Sequence, residues 1–260
     1  METLHFERYE WKYFVPEAWA DAVRRFIAPY VRLDDHAARS PDRRYAIHGI
    51  YLDSPTRALW RASVDDQPAR FKLRVRWYDE AARGPFFCEV KRKVRQVIVK
   101  TRAKVDRAAV LELLRGRPVA VPEGRTGEYL AGFQDRAARL GAEPILRMRY
   151  TREAYESVFG EYARITFDRA MCYQDIGADP LQAEPRAWRY VDAPVATDAV
   201  RSAMLIELKF TRRFPRWMTD LVTRFGLERC GFSKYVHAVA GQQARQAGGV
   251  ELQRVAGLGR

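Results

Sequence analysis

Phe71-Lys72-Leu73-Arg74-Val75-Arg76-Trp77 puts a cation on every even position and an apolar or aromatic side chain on every odd one. Only a period of two separates these residues, so the stretch is read as a β-strand with one basic face and one apolar face. The same split recurs at Arg8/Glu10/Lys12 against Tyr9/Trp11/Tyr13, at Glu89/Lys91/Lys93 against Val90, and at Arg147/Arg149 against Leu146/Met148/Tyr150. It returns at Arg164/Thr166/Asp168 against Ile165/Phe167 and at Glu207/Lys209 against Ile206/Leu208/Phe210. A sheet face open to water usually mixes charge signs so that opposite charges meet across strands. Here Arg and Lys outnumber the acids, and gathering them costs self-repulsion unless an outside polyanion supplies the counter-charge.

Helical spacing appears between the strands. Trp19, Val23, Phe26 and Ile27 predict a helix from Pro16 to about Tyr30, with Pro16 suited to a first turn. Asp106 predicts a cap for a helix ending before Gly116. Further helices are expected over about Glu128–Leu140, stopping at Gly141, and over about Pro215–Phe225, stopping at Gly226. Residues 40–44, 118–126 and 175–194 are rich in Pro, Gly or charge and read as loops. Packing helix stripes against the apolar strand faces leaves the helices outside and turns the charged faces inward. The expected fold is α+β: an antiparallel β-barrel with a charged lumen, one domain over residues 1–240, and a frayed or flexible tail over 241–260.

A chain of 260 residues with 47% hydrophobic and 30% charged residues is globular in composition, and its net charge is +13. That charge points to phosphate chains, nucleotides, nucleic acid or an acidic surface. Cys88, Cys172 and Cys230 are too scattered for a disulfide framework or a structural zinc site, which fits a reducing cytoplasm. The first residues lack a secretory pattern. No apolar run approaches the ~20 residues of a membrane helix, so any membrane link is expected to come from a partner. There is no Walker-type Gly-rich loop, and His5, His36, His48 and His237 show no metal spacing. Phe71, Trp77, Tyr9 and Trp11 fall opposite the charges, which counts against base stacking and therefore against nucleic acid.

In order, Glu7-Arg8-Tyr9-Glu10-Trp11-Lys12-Tyr13, Ile50-Tyr51-Leu52-Asp53-Ser54, Lys72-Leu73-Arg74-Val75-Arg76-Trp77-Tyr78, Glu89-Val90-Lys91-Arg92-Lys93, Glu207-Leu208-Lys209 and Ser233-Lys234-Tyr235 resemble the VTC domain. That is the polyphosphate polymerase domain of vacuolar transporter chaperone complexes, in the CYTH or triphosphate tunnel metalloenzyme superfamily. The resemblance implies a tunnel-shaped antiparallel barrel that takes a nucleoside triphosphate, with ATP the expected donor, and extends polyphosphate with Mn²⁺ or Mg²⁺ as cofactor. Lys12, Arg74, Arg76, Lys91, Lys100, Arg152, Arg164 and Lys234 are implied to bind phosphate, and Glu207 to bind the metal. Arg8, Lys72, Lys93, Arg147, Lys209 and Ser233 are expected to add substrate contacts, and Glu10, Glu89 and Asp168 are either further acids for the metal or partners of neighbouring cations.

Such a set needs no protein nucleophile, because phosphoryl transfer depends on positioning and on charge stabilisation. Where CYTH triphosphatases carry Glu-x-Glu-x-Lys, this chain has Arg8-x-Glu10-x-Lys12, which favours the polymerase-type branch. Gly231 and Lys93 stand where another lysine and a histidine are more usual in eukaryotic members. The competing expectations are a triphosphatase or cyclase with the same tunnel, and a non-catalytic polyphosphate-binding module. Ser233 is expected to donate to phosphate or to cap the final helix.

Overall fold

The computed structural model describes residues 8–95, 97–191, 203–211 and 213–247. His5, Glu7, the end of the 175–194 loop and residues 248–260 lie outside them. The strands are β1 (Arg8–Pro16), β2 (Val31–Leu33), β3 (Tyr45–Asp53), β4 (Ala69–Trp77), β5 (Phe86–Val94), β6 (Val97–Val105), β7 (Glu143–Ser157), β8 (Ala163–Asp175), β9 (Arg189–Tyr190) and β10 (Ala203–Thr211). Hydrogen bonding runs β2-β7-β3-β4-β5-β6-β1-β10-β8-β9, and a further β7–β8 pairing closes the sheet into a barrel. All the pairings are antiparallel. The closure is uneven: β7 and β8 pair over most of their length, whereas β1 and β6 meet only at Arg8 opposite Ile98.

Parity along β4 comes out as the sequence predicts. Leu73, Val75 and Trp77 are fully buried on the outer face, where they join the core under α4 (Arg107–Leu114) and α5 (Arg125–Leu140). Tyr13 and Val15 of β1, Ile165 and Phe167 of β8, and Ile206 and Leu208 of β10 do the same under α1 (Ala20–Ile27) and α6 (Arg216–Arg224). Each is a helix stripe laid on the apolar face of a sheet, the packing that binary patterning demands.

The inward face is not charged throughout. Ile47, Met148, Leu205 and Phe14 also point inward, and there they meet Tyr235, Val236 and Val239 of α7 (Lys234–Gln246). One end of the barrel is therefore filled by an apolar core built on α7. This explains why the expected assignment of Arg147 and Arg149 to the lumen fails. On β7 the inward positions are Leu146, Met148, Tyr150 and Arg152, so the two arginines lie on the outer face. Opposite them β8 carries a bulge, with Ala170 at φ 48°, so Asp168 and Met171 both face inward although they are three residues apart.

Other boundaries move for local reasons. The first helix opens with a 3₁₀ turn at Glu17–Trp19 and ends at Ile27. Asp106 caps α4 as expected, accepting from Ala109 N at 2.8 Å. Helix α5 begins at Arg125, inside the expected loop, and its first turn packs so closely on that loop that a Cβ at Gly127 would lie 1.6 Å from the Pro122 carbonyl oxygen. Two short helices escape the periodicity reading: α2 (Asp35–Ala38), capped by Asp34, and α3 (Ala58–Val64), whose first turn donates to the Asp53 carboxylate from Leu59 N and Trp60 N at 2.9 Å each. Of the tail expected to be a frayed helix or flexible from Gly241, the residues to Gln246 continue α7. The three cysteines are free thiols, and no helix among the described residues is long and apolar enough to cross a membrane.

Gly241 lets α7 approach Tyr173, since a Cβ there would sit 2.5 Å from the tyrosine hydroxyl. In an ordinary helix interior Gly→Ala stabilises by about 1 kcal/mol. Here Gly241→Ala is expected to destabilise by roughly 1–3 kcal/mol through overpacking, with Tyr173→Phe recovering part of the loss. Urea denaturation of the two single variants and the double variant checks this.

Candidate active site

Where the inward face is charged, it encloses a cavity of about 430 Å³. The basic side chains on its wall are Arg8 and Lys12 of β1, Lys72, Arg74 and Arg76 of β4, Lys91 of β5, Lys100 and Arg102 of β6, Arg152 of β7, Arg164 of β8, Lys209 of β10, and Lys234 at the start of α7. These twelve cations face five acids on the same wall, Glu10, Asp34, Asp35, Glu156 and Glu207, with Glu89 and Asp168 fully buried beside them. The excess is positive even when all seven acids are counted, so the lumen carries a positive potential.

The strands place these residues by register. Lys12 of β1 lies opposite Glu207 of β10, and Glu10 opposite Lys209, so acids and bases alternate diagonally. Thr166 of β8 adds a hydroxyl opposite Glu207. Ser233 caps α7 by accepting from Val236 N, and its Oγ also accepts from Lys72 Nζ at 2.8 Å. The positive end of that helix is thus aimed at the cavity floor.

The cations are held apart by shared carboxylates. Glu89 takes Arg74 Nε at 2.6 Å, Lys100 Nζ at 2.6 Å and Arg102 Nη2 at 2.7 Å, with Arg76 at 3.7 Å. Asp168 binds Arg152 through both oxygens at 2.7 Å and Lys234 at 2.7 Å. Glu207 binds Lys209 at 2.7 Å, Lys234 at 2.9 Å and Arg152 at 3.1 Å, and Glu10 binds Lys91 at 2.9 Å and Lys12 at 3.2 Å. Burial alone would raise these carboxyls, but the surrounding cations hold Glu10, Glu89 and Glu207 well below the usual carboxylate range and lower Asp168 as well.

The sequence-predicted set largely converges. Arg8, Lys12, Lys72, Arg74, Arg76, Lys91, Lys100, Arg152, Arg164, Lys209, Ser233, Lys234 and Glu207 all line the cavity. Lys93 and Arg147 do not: Lys93 sits beyond the wall residues, 3.9 Å from Asp66, and Arg147 is on the outside of β7, over the Trp77 ring. Arg102 was missed although it continues the alternation of Lys100. The lumen also holds tyrosines the parity reading did not anticipate. Tyr51, Tyr150 and Tyr78 accept from Arg74, Arg76 and Arg102 at 3.4, 3.4 and 2.9 Å. The aromatic residues are therefore not confined to the outer face. Asp34 accepts from Arg164 at 2.8 Å while capping α2, a double use that its sequence context did not signal.

Among the described residues no three His, Cys, Asp or Glu side chains converge as a metal cage. Glu207 and Glu10 nevertheless fit a hard divalent cation, since magnesium or manganese takes one or two carboxylates and completes its shell with phosphate oxygens and water.

A model of the VTC domain family matches residues 7–242. No curated protein matches the chain. Among solved structures it is similar to a candidate adenylyl cyclase from Hippeastrum described as having a dominant triphosphatase activity, at 12% identity and TM-score 0.48, covering 91% of this chain and 96% of that one. A candidate adenylate cyclase from Bacillus halodurans is similar at 11% identity and TM-score 0.47, covering 88% and 94%. A protein from Pyrococcus horikoshii is similar at 13% identity and TM-score 0.43, covering 90% and 99%.

Lys72 makes no ion pair among the described residues, and burial together with Lys12 and Lys91 holds its ammonium well below the ordinary lysine value; burial does the same at Lys100, only partly offset by Glu89. Both groups penalise folding while they are charged. That penalty is fully present below their depressed pKa values and is relieved as pH rises from there towards the ordinary lysine value. An anion in the lumen reverses the shift, so binding tripolyphosphate at mildly alkaline pH is expected to take up protons. Calorimetry in buffers of different ionisation enthalpy measures the uptake, and Lys72→Met should reduce it.

Proposed function

The chain belongs to the VTC domain family, and on that premise we propose that its lumen binds a nucleoside triphosphate and transfers the γ-phosphoryl group to the end of a polyphosphate chain. One observation carries the choice of transfer: Glu10, Glu89, Asp168 and Glu207 are all ion-paired and held ionised by their cations. A carboxylate in that state is a weak proton acceptor, so none of these four is suited to activate water. A polyphosphate end is already anionic and needs no such base.

In the proposed step a terminal oxygen of the polyphosphate forms a bond to the γ-phosphorus as the bridging β–γ bond breaks. The leaving electron pair stays on the nucleoside diphosphate. Arg74, Arg76 and Arg152 present planar forks to pairs of phosphate oxygens, and Lys12, Lys91 and Lys234 supply point charge. These groups stabilise charge on the transferring phosphoryl without being consumed. Glu207, with Glu10, would hold the divalent cation, which when bound neutralises phosphate charge. Arg164 and Arg8 stand farther out, where they would steer the incoming anion.

Incubation with ATP and Mg²⁺ or Mn²⁺, with and without a short polyphosphate primer, is expected to give lengthening polyphosphate and matching ADP. Free phosphate without polymer would reassign the lumen to triphosphate hydrolysis, and tight triphosphate binding without turnover would leave a binding module. Arg74→Ala and Arg76→Ala should each lower kcat/KM by roughly 10²-fold, the scale of losing one charge-stabilising donor. Glu207→Gln should abolish metal-dependent turnover, and a thermal melt confirms that the variant is folded.

A further inference from the structure

Outside the barrel wall, a second cavity of about 430 Å³ opens between Glu80, the outer face of β7 and the loop that follows β8. Arg147, Arg149, Leu181 and Trp188 line it. Arg147 is only 2% exposed, and its Nε and Nη1 have no hydrogen-bond partner. Its guanidinium lies 5.0 Å from the centre of the Trp77 ring, while that of Arg149 lies 4.8 Å from the centre of Trp188. Both cations thus lie over indole rings within cation–π range.

Neighbouring side chains also carry buried polar atoms without a hydrogen bond. Gln174, opposite Arg147 on β8, is buried with a free Nε2. His48, opposite Arg149 on β3, is buried with neither ring nitrogen hydrogen-bonded. The acid on the cavity lining is Glu80, 68% exposed, 3.8 Å from Arg149 and 3.5 Å from His48. Burial pushes the Arg147 pKa down to about 10, against the opposing pull of Glu80 and Asp179. A fully buried guanidinium with idle donors at the edge of a cavity is an arrangement that folding alone does not favour.

We propose that this outer cavity is a second oxyanion site, in which a phosphate group displaces Glu80 and accepts from Arg147 and Arg149. Two residues apart on one strand face, the arginines leave the backbone about 6.6 Å apart along β7, and both line the same cavity, where the exposed Glu80 carboxylate is the acid between them. The site shares no residue with the lumen, so it stands whatever the lumen catalyses.

The test is calorimetric titration of the full chain with inorganic phosphate, with pyrophosphate and AMP as separate arms. Two classes of site are expected in the wild type. Arg74→Ala should remove or weaken the lumen class and leave the outer class. Arg147→Gln should remove the outer class alone, Arg149→Gln should weaken it at least tenfold, and Glu80→Gln should tighten it several-fold by removing the competing carboxylate. Because Arg149 and Glu80 are partly exposed, those two variants decide the matter even if Arg147→Gln fails to fold. Tighter binding of AMP than of phosphate would assign the site to nucleotides, and equal or weaker binding would assign it to free phosphate or pyrophosphate. A single class of sites, unmoved by Arg149→Gln and Glu80→Gln, overturns the proposal. Absence of the lumen class from the wild type, with the outer class present, would count against the lumen reading only.

Discussion

Cations crowded onto one concave face repel one another, and the barrel closes only because buried carboxylates are shared among them. Glu89 is the clearest case, a fully buried acid reached from β4 and β6 at once. Replacing it with a neutral residue would leave Arg74, Arg76, Lys100 and Arg102 in a desolvated space with nothing between them, the situation in which a buried ion network becomes strongly unfavourable. Asp168 and Glu207 play the same part where β7, β8, β10 and α7 meet. The carboxylates are few enough that the wall stays net positive, so the network fixes the positions of the cations without neutralising them.

This arrangement divides the labour along the strands. The outer faces supply most of the hydrophobic free energy, through the two helix-covered cores, so the inner face is free to carry charge. The third core, around α7, shows the limit of that freedom. A barrel lined with charge along its whole length would have to keep its interior solvated from end to end. Filling one end with Leu205, Met148 and Val239 provides a dry base on which Lys234, Ser233 and Tyr235 are positioned. Lys234 then reaches both Asp168 and Glu207, and couples the floor of the cavity to its wall.

Much of this was legible in the chain because a period of two leaves little choice. Once Leu73, Val75 and Trp77 had to be buried, Lys72, Arg74 and Arg76 had to share the other face, and the same reasoning fixed Arg8, Lys12, Lys91, Arg164, Glu207 and Lys209. What parity cannot say is which face of a given strand points inward at a given height. On β7 the apolar partner of the inner face is α7, more than eighty residues away in sequence, so Arg147 and Arg149 carried the right pattern in the wrong place. The short helices were lost for a different reason. Asp34 and Asp53 nucleate them by accepting backbone N–H groups, an interaction that leaves no hydrophobic period to read.

The same ion pairs that hold the lumen together define what a ligand must do on entry. Each phosphate oxygen that contacts Arg152 or Lys234 competes with Asp168 and Glu207 for the same donors. A monoanion gains little from that exchange, whereas a triphosphate can replace several carboxylate contacts at once while its extra charge offsets the positive excess of the wall. Under the proposed function, a preference for highly charged anions would follow from the network itself. The arginines need not move far, because their forks are already oriented by carboxylates of similar geometry. Lys72 stands apart from that competition, since its head group is held by a serine hydroxyl and an aromatic face rather than by an acid. An incoming phosphate would supply the counter-charge that Lys72 lacks.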